Sequence, residues 1–389
     1  MISVHEALEI VSKHQYSSTP VEVSLEDSLN YVLAEDVKAK ISMPPFNQSA
    51  MDGYAVHIHE SNTYRLVGEV KAGDAHSYNL KAGEAVRIFT GAKVPKTANA
   101  VIMQEKVNRN ENKISIETTP SHFENIRPLG EQIHQDEIAL TKGTKLNPSS
   151  VSYLVSLGIS TIKVYPKPKV SVIVTGSELI PMGADYIDGK IYESNSIAIK
   201  LSLAKEGIDH VNVFKVQDDY QSTENMLKQA IENSDFVLVS GGISVGEYDF
   251  VGRALRNLNT EELFYKVKQK PGKPLFFGKN NNTYVFALPG NPASALTCFY
   301  IYALPMLRAF SNDPQLQLKR VQRKISHEVK IKGDRAQFLK ASCDGHKVTI
   351  LGNQSSAMIH GFNNANCLVF IEENTSYIEE NTKLTTILL

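Results

Sequence analysis

The stretch SGGISVGEYDF, residues 240–250, follows the apolar run FVLV and places three glycines, Gly241, Gly242 and Gly246, within six positions. A glycine-rich turn after a buried strand gathers backbone N–H groups, and such a nest binds an anion without using a side-chain charge. Two further junctions have the same character. VTGSELIPMG sets Thr175, Gly176, Ser177 and Glu178 after an apolar run. LPGNPASAL offers Pro289 and Gly290 for the turn, Asn291 as a helix cap and Pro292 as the first helical residue. Glycines after strands often do no more than turn the chain, but their recurrence in one region points to a shared ligand. The lysine-ending phosphate loop and the dinucleotide fingerprint are both missing.

Four acids, Glu178, Asp218, Asp219 and Asp249, stand at or just past apolar runs. Carboxylates converging in a partly dry cleft repel one another and drift toward neutrality unless something compensates. A hard divalent cation does so, and carboxylates with phosphate oxygens are how Mg²⁺ is usually held. Acids also decorate loops because loops are wet, a reading strongest for Asp219. Positive charge comes from YKVKQKPGKP, where Lys266, Lys268, Lys270 and Lys273 fall within eight residues. In a strand the first three share one face, so the cluster is expected to meet an anion. Elsewhere Asp52 precedes Gly53 in PPFNQSAMDGYAV, and Thr90 and Gly91 end the run AVRIFTG. An aspartate before glycine is most often a turn residue. These residues together describe a phosphorylated ligand held through Mg²⁺ and backbone amides, with lysines for further anionic groups.

Such residues need elements to hold them. Between 169 and about 309, short unalternating apolar runs (KVSVIVTG, VNVFKV, DFVLVS, TYVFAL) alternate with helical patterns at 194–206, 221–232 and 293–308. Strands of this kind are covered on both faces, which predicts an open α/β sheet with its ligand beyond the carboxyl ends of the strands. Residues 60–130 break into short β-branched and aromatic runs with KAG turns, a small all-β unit. The tail, 310–389, alternates in short segments and reads as a separate small β domain. Near the start, Ser3 and Glu6 form a capping-box pattern before a helix whose face carries Val4, Leu8 and Val11. Asn147, Pro148 and Gly158 bracket another helix.

Composition narrows the class. The 389 residues are 42% hydrophobic and 21% charged with net charge −1, so no global field argues for nucleic acid or an acidic membrane. Three scattered cysteines look like cytosolic free thiols. The N-terminus lacks a signal-peptide core, and no span of eighteen apolar residues is evident, so a cytoplasmic setting without membrane contact is expected.

The motifs PPFNQSAMDGYAV, RIFTGAKVP, NIRPLGEQI, VTGSEL, SGGISVGEYDF, KPGKP and LPGNPASA, in this order, resemble the molybdopterin molybdenumtransferase family, which includes the C-terminal domain of gephyrin. The resemblance spans essentially the whole chain. It implies an enzyme that takes adenylylated molybdopterin and molybdate, inserts molybdenum at the dithiolene sulfurs and releases AMP, with Mg²⁺ required. It also implies a homodimer whose cleft draws on the β insertion of one subunit and the α/β and C-terminal domains of the other. Adenylyltransferase and molybdoenzyme maturation proteins would be its partners.

Carried onto this sequence, the family's acids fall on Asp52, Glu178, Asp218 and Asp249, with Glu178, Asp218 and Asp249 as the Mg²⁺ set. Its lysines fall on Lys266 and Lys270. The substrate-binding set is Thr90, Gly176, Ser177, Gly241, Gly242, Ser244, Gly246, Lys273, Pro289, Gly290 and Pro292. The implied domains are a composite linker of 1–59 and 131–165, a β insertion of 60–130, a molybdopterin-binding α/β domain of 166–309 and a C-terminal β-barrel of 310–389. Two positions depart from the family: Gln132 stands where an acid is common, and Ser177 where aspartate is usual. Glutamine exchanges hydrogen bonds but is a poor metal ligand or base. Two rival readings are a non-catalytic gephyrin-like scaffold and the pathway's adenylyltransferase. The first is disfavoured because no appended adenylyltransferase domain or long linker is seen. The second leaves MDGYAV and the β insertion without a use.

Overall fold

The apolar runs expected as covered strands form the middle of a six-stranded sheet in a computed structural model that describes residues 1–217, 219–243 and 250–389. The chain divides into two compact units. The first comprises Met1–Val21, Asn30–Ala34 and Lys163–Leu389, and the second Glu22–Leu29 and Glu35–Ile162.

In the first unit the strand order is Val211–Val216, Val170–Thr175, Phe236–Ser240, Thr283–Leu288, Phe276–Asn280, Glu261–Tyr265. The first four run parallel, and the last two are added antiparallel. Val170–Thr175, Phe236–Ser240 and Thr283–Leu288 are buried along their whole length. From Val170–Thr175 the chain passes through helix Asn195–Lys205 to the strand on one side. It returns through helix Tyr220–Asn233 to Phe236–Ser240 on the other. Strand order therefore reverses between Val170–Thr175 and Phe236–Ser240, and that opens a crevice at their carboxyl ends.

Alternate residues feed opposite faces of the sheet. Phe236 and Leu238 join Phe277, Phe286, Phe299 and Tyr302 in one core, while Val237 and Val239 join Leu227, Val251 and Leu255 in another. The helical run Pro292–Phe310 is long and apolar enough to cross a membrane, but 83% of it is buried in this core. It includes a π-helical turn, Phe299–Ala303, just before Pro305, whose missing N–H cannot continue the regular ladder.

Three boundaries drawn from the sequence shift. The capping box at Ser3 and Glu6 is present, but helix Val4–Lys13 buries Val4, Ala7 and Val11 in the first unit's core rather than belonging with a linker. The tail forms a closed barrel of Arg320–Ile325, Ala336–Cys343, Lys347–Ile350, Cys367–Ile371 and Lys383–Leu388, the ring completed by pairing of Ala336–Cys343 with Cys367–Ile371. It packs closely on its neighbour: Ala336, Phe338, Leu368 and Ile387 join the α/β core. In the second unit the six-stranded sheet begins before residue 60, because Gly53–Val56 lies between Ala100–Met103 and Glu84–Ile88. Gly53 is required there, since a Cβ would fall 1.9 Å from the Ile102 carbonyl oxygen. Asn147 caps helix Pro148–Ser156 as expected, and Gly158 follows it at φ +76°.

Candidate functional site

The carboxyl ends of the three central strands open into a cleft of about 690 Å³ in the first unit, with Thr175, Glu178, Ser240, Gly241, Pro289, Gly290 and Pro292 on its wall. The strand-end turns singled out in the sequence thus converge. They do so at close quarters. Gly241 and Gly242 have φ of +91° and +62°. A Cβ on Gly241 would lie 2.4 Å from the Thr175 carbonyl oxygen, and one on Gly242 would lie 2.5 Å from Thr175 Oγ1. Asn195, unnoticed in the sequence, ties two of the turns: its Nδ2 donates to Ser240 Oγ at 2.8 Å and to the Gly290 carbonyl at 2.7 Å. Thr175 Oγ1 is buried and has no hydrogen-bond partner among the described residues.

Facing these turns are three cations, Lys270, Lys273 and Arg335. The loop bearing the two lysines is anchored in the core. Buried Gln269 accepts a hydrogen bond from the Tyr302 hydroxyl and donates Nε2 to the Gly272 carbonyl at 3.1 Å and to Cys298 Sγ at 3.4 Å. Burial pushes the Cys298 thiol up to about 12, so it serves packing rather than reactivity.

The expected lysine-lined strand does not form. Lys266 takes a left-handed backbone, φ +66°, with Nζ over the Tyr265 ring at 4.6 Å, and it does not line the cleft. Lys268 is paired with Glu373 at 2.8 Å and Asp334 at 3.9 Å. Only Gln269–Lys270 is a strand, paired with the barrel strand Ala336–Cys343. Ile2 is the bridge partner of Val267, and the Ile2 N–H donates to the Lys266 carbonyl at 3.1 Å.

Glu178 is exposed at the cleft, and Gly176 makes room for its carboxylate: a Cβ there would lie 2.8 Å from Glu178 Oε2. Gly176 and Ser177 also border an adjoining cavity of about 620 Å³ with Lys215 and Asp219. Asp219 caps helix Tyr220–Asn233, accepting from the Ser222 N–H at 2.9 Å, a bond that holds its carboxyl below the ordinary value. Its role is structural. Asp218, Ser244, Gly246 and Asp249 lie outside the described residues. Among the described residues no group of three or more His, Cys, Asp or Glu is set to hold a metal, so Glu178 stands as the described member of the expected Mg²⁺ set.

The barrel contributes a loop to the same cleft through Gln354, Ser356 and Ala357, which nothing local in the sequence announces. It also changes the expected helix cap. Asn291 donates Nδ2 to Ser356 Oγ at 2.9 Å, and the Ser356 carbonyl accepts the Ala293 N–H at 3.1 Å. The loop therefore satisfies the start of the helix, and the Asn291 side chain does not.

In the second unit Asp52 and Thr90 are a pair. Asp52 Oδ1 accepts from the Thr90 backbone N–H and hydroxyl, each at 2.7 Å, and these bonds hold the Asp52 carboxyl below its usual range. Gln132 is exposed; its backbone N–H donates to the Met43 carbonyl at 2.9 Å, and its side chain has no partner among the described residues.

Residues 171–309 match the family model for a probable molybdopterin binding domain. Residues 2–158 match the MoeA N-terminal region (domain I and II), and 322–389 the MoeA C-terminal region (domain IV). An α/β sheet with a strand-end cleft, joined to a closed barrel and an inserted β sheet, is thus the plan of a protein of molybdenum cofactor biosynthesis. The chain is 33% identical over 380 residues to the molybdopterin molybdenumtransferase of Haemophilus influenzae, covering 93% of this chain and 92% of the relative. It is 31% identical over 383 residues to that of Staphylococcus aureus, covering 95% and 91%. The fold superposes on the molybdopterin biosynthesis MoeA protein from Pyrococcus horikoshii with a TM-score of 0.82 at 30% identity, covering 100% of this chain and 99% of that one. The chain belongs to the molybdopterin molybdenumtransferase family and is an enzyme of that family.

Proposed function

We propose that the chain inserts molybdenum from molybdate into the dithiolene of adenylylated molybdopterin, with Mg²⁺-dependent release of AMP. The observation that carries this reading is the meeting, in one cleft, of glycine-bearing strand-end turns with Lys270, Lys273 and Arg335. Cleaving the pyrophosphate linkage builds negative charge on phosphoryl oxygens. Backbone amides held rigid by close-packed turns stabilise such charge without reorganising. Molybdate is a tetrahedral dianion and needs donors, which the two ammonium groups and the guanidinium fork supply.

Glu178, Asp218 and Asp249 are the carboxylates this reading assigns to Mg²⁺. The bound ion would polarise phosphoryl oxygens. Lys266, which does not line the cleft, has no part in this assignment. Asp52, held ionised by Thr90, is a weak base, so the pair is assigned to orienting substrate through the Thr90 hydroxyl. Gln132 is likewise assigned to orientation. A homodimer in the cytoplasm is part of the reading, supported by exposed apolar side chains at Met182, Tyr186, Ile187, Ile191 and Leu201. Its partners would be the adenylyltransferase that supplies the substrate and the maturation proteins that accept the product.

The test is AMP release and cofactor formation from adenylylated molybdopterin, molybdate and Mg²⁺. Release should require both molybdate and Mg²⁺. Arg335→Ala should lower turnover by roughly ten- to a thousandfold, the range for removing one strong electrostatic element. Absence of AMP release with all components present would overturn the reading.

A further inference from the structure

Lys340 lies inside the fold, 4% exposed, on the barrel strand Ala336–Cys343. No carboxylate pairs with it among the described residues. Its Nζ donates to the carbonyls of Met358 at 3.1 Å and Ser355 at 3.3 Å, and lies 5.8 Å from the Phe362 ring centroid. Burial draws its pKa down. An ammonium without a counter-charge gives up hydration that carbonyls only partly replace, and an apolar side chain would fill the place at less cost.

What Lys340 touches accounts for its presence. Both carbonyls belong to the 351–358 loop, the loop that brings Gln354, Ser356 and Ala357 to the cleft. Residue 340 grips that loop a second time through its backbone: its N–H donates to Gln354 Oε1 at 3.0 Å, and Gln354 Nε2 donates to its carbonyl at 2.8 Å. The loop is then docked at its other side, where Ser356 meets Asn291 and Ala293. Gly361 leaves space for the ammonium, since a Cβ there would lie 2.9 Å from Lys340 Nζ.

We propose that Lys340 is a positioning residue for the anion end of the cleft: its ammonium sets the 351–358 loop so that Ser356 stands preformed beside Lys270, Lys273 and Arg335 for a tetrahedral oxyanion. This rests on the reading that the cleft takes molybdate. The ammonium acts through the loop and does not touch the anion.

Lys340→Met keeps the length of the side chain and removes its donors. Molybdate affinity by calorimetry should fall about tenfold, the scale of losing a hydrogen bond to a charged group. Affinity for adenylylated molybdopterin should hold, Tm should stay level or rise, and amides of 351–358 should exchange faster with solvent deuterium. Lys340→Leu removes the same donors with a shorter apolar side chain and should move molybdate affinity and loop exchange in the same direction. It serves as the test if Lys340→Met does not fold. Unchanged molybdate affinity in a folded variant overturns the proposal. So does a parallel loss of both ligands with a falling Tm, the mark of a merely structural lysine. If the wild-type protein binds no molybdate, the functional reading fails, while loop exchange in the ligand-free variants still shows whether Lys340 holds the loop.

Discussion

Asp52 shows how one neighbour decides what a carboxylate can do. Thr90 supplies two donors to a single oxygen, and both bonds are stronger to the charged form than to the neutral one. The folded pKa therefore lies below the ordinary value of 3.8. A depressed folded pKa stabilises the fold above the unfolded value, and that contribution is lost as pH falls through the folded value. The Asp52–Thr90 contact should accordingly persist below pH 3.8, with the carboxyl carbon titrating late in an NMR pH series. Thr90→Val leaves the backbone N–H and removes the hydroxyl, so the midpoint should move part of the way back up. A midpoint at or above the ordinary value in the wild-type protein would show that the two bonds do not operate in solution.

At the scale of elements, the cleft depends on a turn that tolerates no side chain. Gly242 combines φ +62° with a Cβ position 2.5 Å from Thr175 Oγ1 and 2.7 Å from Val251 Cγ2. Gly73 shares the left-handed region at φ +89° but has open space around its Cβ position. Gly242→Ala should therefore cost about 1–3 kcal/mol more than Gly73→Ala, measured as a difference in denaturant midpoints at constant slope. Equal costs would mean that backbone conformation alone fixes the residue type. This turn was legible in the sequence because glycines directly after a β-branched run carry both strand and turn signals locally. The lysine segment was not, for alternation predicts a shared face only while the backbone stays extended, and Lys266 leaves it at φ +66°, where the segment meets Ile2, some 265 residues away. Arg335, Ser356 and Asn195 escaped for the same kind of reason. Arg335, in GDRAQ, looks like a hairpin-turn residue, and its place at the cleft follows from barrel strand Ala336–Cys343 pairing with Gln269–Lys270. Buried Lys340 likewise sits in a segment, AQFLKASC, whose alternation gives no hint that this lysine faces inward.

For the whole molecule, the exposed apolar residues of the 182–201 region include Met182 at 80% and Tyr186 at 66% exposure, and exposed apolar surface of this kind is where a second subunit would dock. Light scattering at micromolar concentration should give about twice the 43.1 kDa chain mass, and an active species of single-chain mass would remove the dimer from the proposed function. The first unit is also discontinuous: Met1–Val21 is separated in sequence from Lys163–Leu389 by the residues of the second. Helix Val4–Lys13 packs on helix Leu304–Phe310, roughly three hundred residues later. On a ribosome adding about 5–20 residues per second, its apolar face waits on the order of 15–60 s for a core to enter. The second unit emerges whole during that wait, with all its strands to hand. Throughout that stage the apolar face of the leading helix has none of the core that covers it in the finished fold.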